Sequence, residues 1–283
     1  MISKFMFYLK RLHSRQYISM ALARGAATSC CREIDSSVPH TWEFSAFSQN
    51  GEDGIIDYLS RKIKKPNRYF VEIGSSKGME NNTSWLGIAR KYSGLWIEGS
   101  QDYSDWAAKI VSPLNLGIEC ICLKVTPNNV NKIKGETLFL DPDVFSLDID
   151  GVDYYVMKAI IESGFHPKIC VVEYNSVFGP EKRLTIKYHD DFDYTVAHPT
   201  ELYYGVSINA WREFFARHGY RFVSVDSNGV NAFFINPSEF EKEFVDRIRG
   251  LAYQENFYHA RKFKTPWKKQ YEMIAHLEFD EVE

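Results

Sequence analysis

The chain of 283 residues has few cysteines and no long apolar run. Its five cysteines are odd in number and lack the paired spacing of metal ligands, which argues against a disulfide framework and for a reducing compartment. No stretch approaches the roughly eighteen consecutive apolar residues that a membrane-spanning helix needs. We therefore expect a cytoplasmic protein without a transmembrane segment.

A strong excess of charge of either sign is also missing. The net charge is −3 at pH 7, so the composition gives no reason to expect a nucleic-acid partner. Apolar residues make up 45% of the chain and aromatic residues 15%, which supports a full hydrophobic core and argues against disorder. Part of the aromatic content is expected to line binding surfaces.

The first 32 residues contain no acidic side chain, although six of them are lysine or arginine. Apolar residues recur at helical spacing between Ile2 and Leu12, which predicts an amphipathic helix with a basic face. Such a helix can lie on the inner membrane surface, pack on the chain's own body, or dock on a second copy in a homo-oligomer. The sequence leaves these alternatives open.

The dinucleotide signature G-x-G-x-x-G is absent where a nucleotide turn is expected. Residues 70–78 instead form an apolar strand pattern that contains Glu72 and runs into a turn with Gly74 and Gly78. Glycines let the backbone approach a cofactor closely, and the helix predicted to begin near Thr83 offers unpaired N–H groups. The Glu72 carboxylate would repel a pyrophosphate but attract the cationic methionyl group of S-adenosylmethionine, which favours that cofactor over a nicotinamide dinucleotide.

Strand and helix patterns alternate through the middle of the chain, and a β-hairpin pattern follows. This order predicts an α/β fold with a doubly wound, Rossmann-like sheet of seven strands, the last of them antiparallel. The strands are expected at residues 69–73, 94–99, 118–125, 143–151, 168–174, 220–225 and 231–235.

Helical extensions are expected on either side of this domain. Residues 1–44 form the N-terminal basic amphipathic extension, residues 45–236 the α/β domain, and residues 237–283 a C-terminal helical extension. Within the domain, residues 177–206 lack a regular pattern, and a loop of this length is usually functional.

Acidic residues stand at the carboxyl ends of four predicted strands. In doubly wound sheets, ligands bind beyond these ends, so the acids are expected to form one site. Glu98 follows the glycine turn by about twenty-five residues, near the spacing at which an acid binds a nucleotide ribose. The residues at these strand ends are Glu72, Glu98, Asp148, Asp150, Glu173 and Asn175.

The ordered set of these motifs resembles the FkbM-like family of S-adenosylmethionine-dependent O-methyltransferases. The resemblance covers residues 45 to 236 and implies a class I methyltransferase sheet. Its motifs are Ser48-Gln49-x-Gly51-Glu52-Asp53-Gly54, Phe70-Val71-Glu72-Ile73-Gly74, Asn82-Thr83, Trp96-Ile97-Glu98-Gly99, Leu147-Asp148-Ile149-Asp150-Gly151, Val172-Glu173-Tyr174-Asn175, Tyr204-Gly205-Val206-Ser207 and Gly229-Val230-Asn231-Ala232-Phe233-Phe234.

The resemblance also implies roles for the cofactor-binding residues. Ser76 replaces the middle glycine of the usual turn, and Lys124 lies in a segment that lacks the acid often found beside the adenine. The implied cofactor residues are Glu72, Gly74, Ser75 and Gly78 for the methionyl part, Glu98 for the ribose hydroxyls, and Gln49, Asn82 and Thr83 along the same pocket.

Hard oxygen ligands converge at the ends of the fourth and fifth predicted strands. Asp148, Glu173 and Asn175 are the predicted ligands of Mg²⁺ or Mn²⁺. Such an ion could orient an acceptor hydroxyl and lower its pKa. Asp148 and Asp150 are the predicted catalytic residues at this place. In the alternative, Asp148 caps the methionyl group, Asp150 caps the next helix, and no metal binds. The sequence does not choose between them.

The irregular segment supplies candidates for the base and for acceptor binding. His189 is the preferred catalytic base because acids adjoin it, and the acceptor-binding candidates are Tyr188, Asp190, Asp191 and His198.

For the acceptor, the resemblance implies a sugar hydroxyl of a surface polysaccharide such as a lipopolysaccharide O-antigen. A small secondary metabolite is the alternative acceptor. A non-catalytic nucleotide- or sugar-binding subunit is the alternative from another functional class.

Overall fold

The computed structural model describes the backbone of residues 2–282 and the side chains of residues 12–109, 111 and 113–282. The strands are β1 Tyr69–Ile73, β2 Ser93–Glu98, β3 Ile118–Cys122, β4 Val144–Leu147, β5 Ile169–Glu173, β6 Leu184–Ile186, β7 Arg221–Val225, β8 Asn231–Ile235 and β9 Phe279–Glu281. The helices are α1 Ile2–Cys30, α2 Glu52–Ser60, α3 Gln101–Trp106, α4 Val130–Glu136, α5 Asp153–Glu162, α6 Tyr194–Ala197, α7 Ile208–Arg217, α8 Lys242–Arg247, α9 Phe257–Phe263 and α10 Trp267–Ile274. Two π-helical turns, Trp85–Ala89 and Ala107–Val111, stand where the sequence predicts ordinary helix.

Seven strands form one sheet in the order β3-β2-β1-β4-β5-β8-β7. Strands β1 to β5 run parallel to their neighbours, and β8 is antiparallel to both β5 and β7. This is the Rossmann-like sheet of class I methyltransferases, and the predicted fold class is confirmed. Because β1, β2, β4 and β5 run parallel, their carboxyl ends lie along one edge of the sheet. The strand order reverses between β1 and β4, which makes that place the topological switch point.

Two hydrophobic cores cover the faces of the sheet. Successive side chains of β1 point to opposite faces, so Val71 packs in the core that contains α5 and α7, and Phe70 packs in the core that contains α2. All five residues of β1 and of β5 are buried, as expected for central parallel strands. The buried sheet therefore fixes the backbone from which the strand-end acids project.

The N-terminal basic segment belongs to one long helix, α1. Its second half packs on the domain, because Ile18 and Ala21 are buried in the α2-side core and the Arg24 guanidinium donates to the Ala46 carbonyl. Of the predicted apolar stripe, only the side chain of Leu12 lies within the described residues, and it is exposed. Contact with a membrane surface or a second copy stays a prediction. Among the described residues, none of the helices has both the length and the apolar character needed to cross a bilayer.

The segment 177–206 is more ordered than its sequence pattern indicates. Residues 184–186 form β6, which pairs antiparallel with β9 near the C-terminus as a separate two-stranded sheet. The segment also contains α6. The C-terminal extension therefore supports the irregular segment directly, through a strand pair that local sequence patterns did not indicate.

Candidate cofactor and acceptor site

Three cavities open at the carboxyl edge of the sheet, and they share residues. A large cavity of about 440 Å³ extends over the ends of β1 to β4, a side cavity of about 350 Å³ lies beside β5, and a small cavity of about 150 Å³ lies near β1 and β8. Asp150 lines both the large and the side cavity, and Asp148 lines both the large and the small cavity. The end of β4 is therefore the junction of all three.

The glycine turn after β1 forms the floor of the large cavity. Gly74 has φ +84°, and a Cβ built on it would lie 1.7 Å from the carbonyl oxygen of Asp148. A side chain is therefore excluded both by the backbone conformation and by the neighbouring strand end. Ser76, which replaces the usual middle glycine, also adopts a left-handed conformation, with φ +50°. The turn thus keeps its conformation without that glycine.

Glu98 projects from the end of β2 into the large cavity. Its Oε2 accepts a hydrogen bond of 2.7 Å from the backbone N–H of Ser76, and its Oε1 accepts one of 2.8 Å from the N–H of Ser100. These bonds fix the carboxylate while each oxygen keeps accepting capacity. A fixed carboxylate at this place is suited to a pair of ribose hydroxyls.

Glu72 does not line the large cavity, and the chain itself supplies its hydrogen-bond donors. Its oxygens accept from the Asn81 amide, from the N–H of Asn82 at 2.8 Å, and from the N–H and hydroxyl of Thr83. Burial raises the pKa of Glu72 to about 7 in spite of these bonds. Glu72 therefore holds residues 81–83 and lines the small cavity, and its contact with the methionyl part stays a prediction.

The other implied cofactor residues divide into two groups. Gln49 and Asn82 line the small cavity beside Gly74, where an extended ligand could continue from the large cavity. Ser75, Gly78 and Thr83 line none of the three cavities, and their contact with a cofactor stays a prediction. Thr83 is buried and accepts from the indole of Trp96 at 2.8 Å, and a Cβ on Gly78 would lie 2.7 Å from the same ring. Thr83 and Gly78 therefore shape the turn through their contacts with Trp96.

Asp148, Asp150 and Glu173, here called the carboxylate cluster, lie together at the ends of β4 and β5. One oxygen from each lies within 4.8 Å of the others. Glu173 is 7% exposed, and its Oε2 has no partner among the described residues. Burial and the neighbouring carboxylates raise the pKa values of Asp148 and Glu173 well above the ordinary range. An unpartnered oxygen among three converging carboxylates fits a hard divalent cation such as Mg²⁺ or Mn²⁺.

The side chain of Asn175, a predicted metal ligand, is hydrogen-bonded within the chain. Its side-chain amide donates to the carbonyls of Leu202 at 2.8 Å and Tyr204 at 3.0 Å, and its Oδ1 accepts from the N–H of Val177 at 3.1 Å. The Oδ1 keeps one accepting position, so the role of Asn175 as a metal ligand stays a prediction. Asp150, which the sequence did not assign as a metal ligand, is the third carboxylate of the cluster.

Helix α5 has Val152 at its N-cap position and no side-chain cap, so Asp150 does not take the capping role that the metal-free alternative gave it. Asp153, the first residue of α5, accepts from the N–H groups of Ile149 at 3.0 Å and Gly151 at 2.9 Å in the preceding turn. Asp150, between them, has φ +52°. Its strained backbone is thus held by a neighbouring carboxylate, and its own side chain is left for the cavities.

Neither predicted histidine reaches the carboxylate cluster. His189 is exposed, its Nδ1 accepts from the N–H of Asp191, and it lines none of the three cavities. His198 also lies outside them, with its Nδ1 2.7 Å from the Thr200 hydroxyl. The three cavities therefore lend no support to His189 as the base, and that role stays a prediction.

His259, which sequence reasoning missed, lines the side cavity with Asp150 and Glu173. Its Nδ1 has no partner among the described residues, and burial lowers its pKa to about 4, so the imidazole is neutral at pH 7. It lies 86 positions beyond Glu173, in the C-terminal extension, and no motif marks it. Only the packing of α9 beside β5 could have identified it.

The predicted acceptor-binding residues lie partly in a different cavity. Asp190 lines the large cavity, and Tyr188 donates its hydroxyl to Asp190 at 2.7 Å without lining a cavity itself. Asp191 is exposed and pairs with Lys124 at 3.2 Å. Of the predicted set Tyr188, Asp190, Asp191 and His198, none lines the side cavity.

The side cavity is lined by aromatic rings and polar groups. Tyr194 and Tyr204 lie with ring centroids 6.0 Å apart, and Tyr204 contacts the His259 ring edge-on at 6.1 Å. Lys262 and Glu201 form an ion pair of 2.6 Å among the lining residues. Rings beside carboxylates and amides suit a ligand with apolar ring faces and several hydroxyls. The lining residues are Gln49, Asn50, Asp150, Glu173, Tyr194, Thr200, Glu201, Tyr204, Val230, Asn256, Tyr258, His259 and Lys262.

Comparisons with known proteins concern the fold. No family model matches the chain, and no curated protein sequence matches it. An O-methyltransferase from Bacillus cereus in complex with SAH superposes with a TM-score of 0.44 at 15% identity, over 78% of this chain and 89% of that chain. TomG, an O-methyltransferase from Streptomyces achromogenes involved in tomaymycin synthesis, was solved in complex with SAM. It superposes with a TM-score of 0.43 at 14% identity, over 75% of this chain and 93% of that chain. M. capricolum TrmK in complex with S-adenosylhomocysteine superposes with a TM-score of 0.38 at 12% identity, over 65% of this chain and 68% of that chain. These similarities are too low to transfer an activity or a substrate to this chain.

The close approach of Gly74 to Asp148 generates a prediction. Gly74→Ala must displace the turn or the end of β4, so we expect at least a tenfold loss of affinity for S-adenosylhomocysteine, measured by isothermal titration calorimetry. Gly219→Ala is the matched control, because Gly219 has a similar φ of +80° but nothing within 4 Å of its added Cβ. It should cost about 1 kcal/mol of stability and leave binding unchanged. Equal effects of the two variants would contradict the prediction.

Proposed function

We propose that the chain is an S-adenosylmethionine-dependent O-methyltransferase whose cofactor occupies the large cavity. The observation that carries the proposal is the fixed carboxylate of Glu98 beside the turn at Gly74, at the topological switch point of the sheet. The volume of about 440 Å³ falls within the range of small-molecule sites. With the ribose on Glu98, the methionyl part extends past Gly74 toward Asp148 and the small cavity.

The acceptor binds in the side cavity in this proposal. Asp150 belongs to both cavities, so an acceptor oxygen beside it lies next to the end of the cofactor that carries the methyl group. Methyl transfer needs this oxygen in line with the sulfonium methyl, and the two cavities meet at a site that allows such an approach. The S–CH₃ bond breaks as the O–CH₃ bond forms, and the acceptor loses one proton.

The carboxylate cluster would hold a divalent cation at this junction. When bound, Mg²⁺ or Mn²⁺ supplies Lewis-acid assistance that lowers the pKa of an acceptor hydroxyl. Asp148 approaches from the cofactor side, Glu173 from the acceptor side, and Asp150 from between them. Glu173 is held in place because the Trp211 indole donates to its backbone carbonyl at 2.8 Å.

In this proposal His259 passes the released proton to solvent, because with a pKa of about 4 it does not retain that proton at neutral pH. It is neutral at physiological pH and lies on the acceptor cavity beside Tyr204. A neutral imidazole can accept a hydrogen bond from the acceptor hydroxyl before transfer and pass the proton to solvent afterwards.

The acceptor in this proposal is a sugar hydroxyl of a surface polysaccharide such as a lipopolysaccharide O-antigen. The resemblance to FkbM-like enzymes and the tyrosine-lined, carboxylate-rich side cavity support this choice. The family resemblance also admits a small secondary metabolite, which the methyl-transfer assay below distinguishes.

Cofactor binding is the first test. S-adenosylhomocysteine should bind the wild-type protein in calorimetry, and Glu98→Gln should weaken binding by about tenfold or more, because hydrogen bonds to a charged group contribute about 1.5–3 kcal/mol. Glu119→Gln is the matched control, since Glu119 is exposed on β3 and lines none of the three cavities. A wild-type protein that fails to bind S-adenosylhomocysteine would overturn the proposal.

The metal can be tested separately. Titration of Mn²⁺ into protein loaded with S-adenosylhomocysteine should reveal one binding site. Glu173→Gln should lower the affinity of this site for Mn²⁺ at least tenfold, because a charged ligand is lost. Glu162→Gln is the control, because the Glu162 side chain is exposed on α5, and it should leave the affinity for Mn²⁺ unchanged. Full methyl transfer in excess EDTA would remove the metal from the mechanism without affecting the cofactor assignment.

The proton acceptor is tested by methyl transfer from tritiated S-adenosylmethionine to O-antigen polysaccharide. His259→Gln should lower kcat by about a hundredfold, the lower range for general acid–base catalysis, and leave the affinity for S-adenosylhomocysteine unchanged. His198→Gln serves as the control, because His198 lies outside the three cavities. A loss below threefold in His259→Gln would rule out this role. Absence of label in the polysaccharide, with S-adenosylhomocysteine binding intact, would favour the secondary-metabolite acceptor.

A further inference from the structure

The end of β3 lacks an acid where the large cavity must accommodate a nucleobase. Lys124 occupies this position, and its ammonium is drawn to Asp191 at 3.2 Å. The exocyclic amino group of adenine needs a hydrogen-bond acceptor, which a lysine cannot supply. The acceptor must therefore come from another part of the chain.

The loop between β6 and α6 supplies a carboxylate to the same cavity. Asp190 and Phe192 both line it, and the ion pair of the intervening Asp191 with Lys124 places this loop beside the end of β3. Phe192 lies against Gly151, where an added Cβ would be 2.9 Å from the ring. The loop thus spans the cavity from β3 to the turn after β4.

Asp190 is oriented by a chain of contacts. The hydroxyl of Tyr188 donates to its Oδ1 at 2.7 Å, and the Tyr188 ring packs on Tyr155 with centroids 5.1 Å apart. Tyr155 in turn donates to Asp280 of β9 at 2.6 Å. Tyr188 binds only the Oδ1 of Asp190, and the Oδ2 of Asp190 makes no hydrogen bond to any described residue. The carboxylate is thereby held at the cavity with accepting capacity left.

The order of groups along the cavity identifies the ligand that meets Asp190. If the methyl group lies at Asp150 and the ribose at Glu98, the base extends to the β3 end. Apolar side chains surround that end and suit the faces of a purine. They are Leu123, Val125, Ile149, Val152 and Phe192.

We propose that Asp190 recognises the exocyclic amino group of the adenine and replaces the missing acid after β3. The inference rests on the proposed function, since it assumes S-adenosylmethionine in the large cavity. It assigns Asp190 to cofactor specificity, whereas the sequence placed it with the acceptor. It also makes one segment of the chain serve both ligands, because Tyr194 and Tyr204 of the same segment line the side cavity.

The test compares S-adenosylhomocysteine with S-inosylhomocysteine, in which a carbonyl oxygen replaces the amino group. Calorimetry on the wild-type protein should give a preference of about tenfold or more for the adenosyl compound. Asp190→Asn should abolish or reverse this preference, because an asparagine amide can turn its NH₂ toward the carbonyl. Asp190→Ala should lower the affinity for S-adenosylhomocysteine by about tenfold and leave the affinity for S-inosylhomocysteine nearly unchanged.

Asp246→Asn is the control, because Asp246 is an exposed aspartate on α8 that lines none of the three cavities. It should keep the wild-type preference within threefold. A wild-type preference that survives in Asp190→Asn and Asp190→Ala overturns the inference and leaves the proposed function standing. Absence of S-adenosylhomocysteine binding to the wild-type protein overturns both.

Discussion

Mutual repulsion within the carboxylate cluster is the constraint around which the site is arranged. Asp148, Asp150 and Glu173 bring like charges within 4.8 Å, partly out of water, which disfavours ionisation of all three at once. Neighbouring groups hold the backbone that carries them: Asp153 binds the turn at residues 149–151, and Trp211 binds the end of β5. The stability of the buried sheet offsets the cost of this arrangement, as is common for residues placed for chemistry.

A second set of buried acids positions the loop before α2 over the small and side cavities. Asp53 is completely buried, and its Oδ2 accepts from the N–H groups of residues 46, 47 and 48. Glu52 accepts from Asn50 and from Asn231 of β8, which ties this loop to the far side of the sheet. Asp53 is therefore structural, whereas Glu52 both ties the loop to β8 and lines the small cavity with Gln49 and Asn50.

The sequence was informative where function depends on the end of a buried strand. An apolar run followed by an acid fixes both the strand and the edge at which the acid emerges, and Glu98, Asp148, Asp150 and Glu173 all lie where this reasoning placed them. It was less informative where a side chain had a choice of partners. The Asn175 amide is bound by carbonyls 27 and 29 residues further along the chain. His259 reaches the side cavity only because α9 folds back, which no local periodicity encodes.

The pairing of β6 with β9 has a consequence for the time course of folding. Ile186 and Phe279 are partners although 93 positions separate them, whereas the parallel strands β1 to β5 of the main sheet are all synthesised before β6. At roughly 5–20 residues per second, a ribosome produces the β9 segment roughly 5 to 20 seconds after β6. During that interval the loop beside the large cavity lacks its anchoring strand, even though the sheet beneath it has all of its parallel strands.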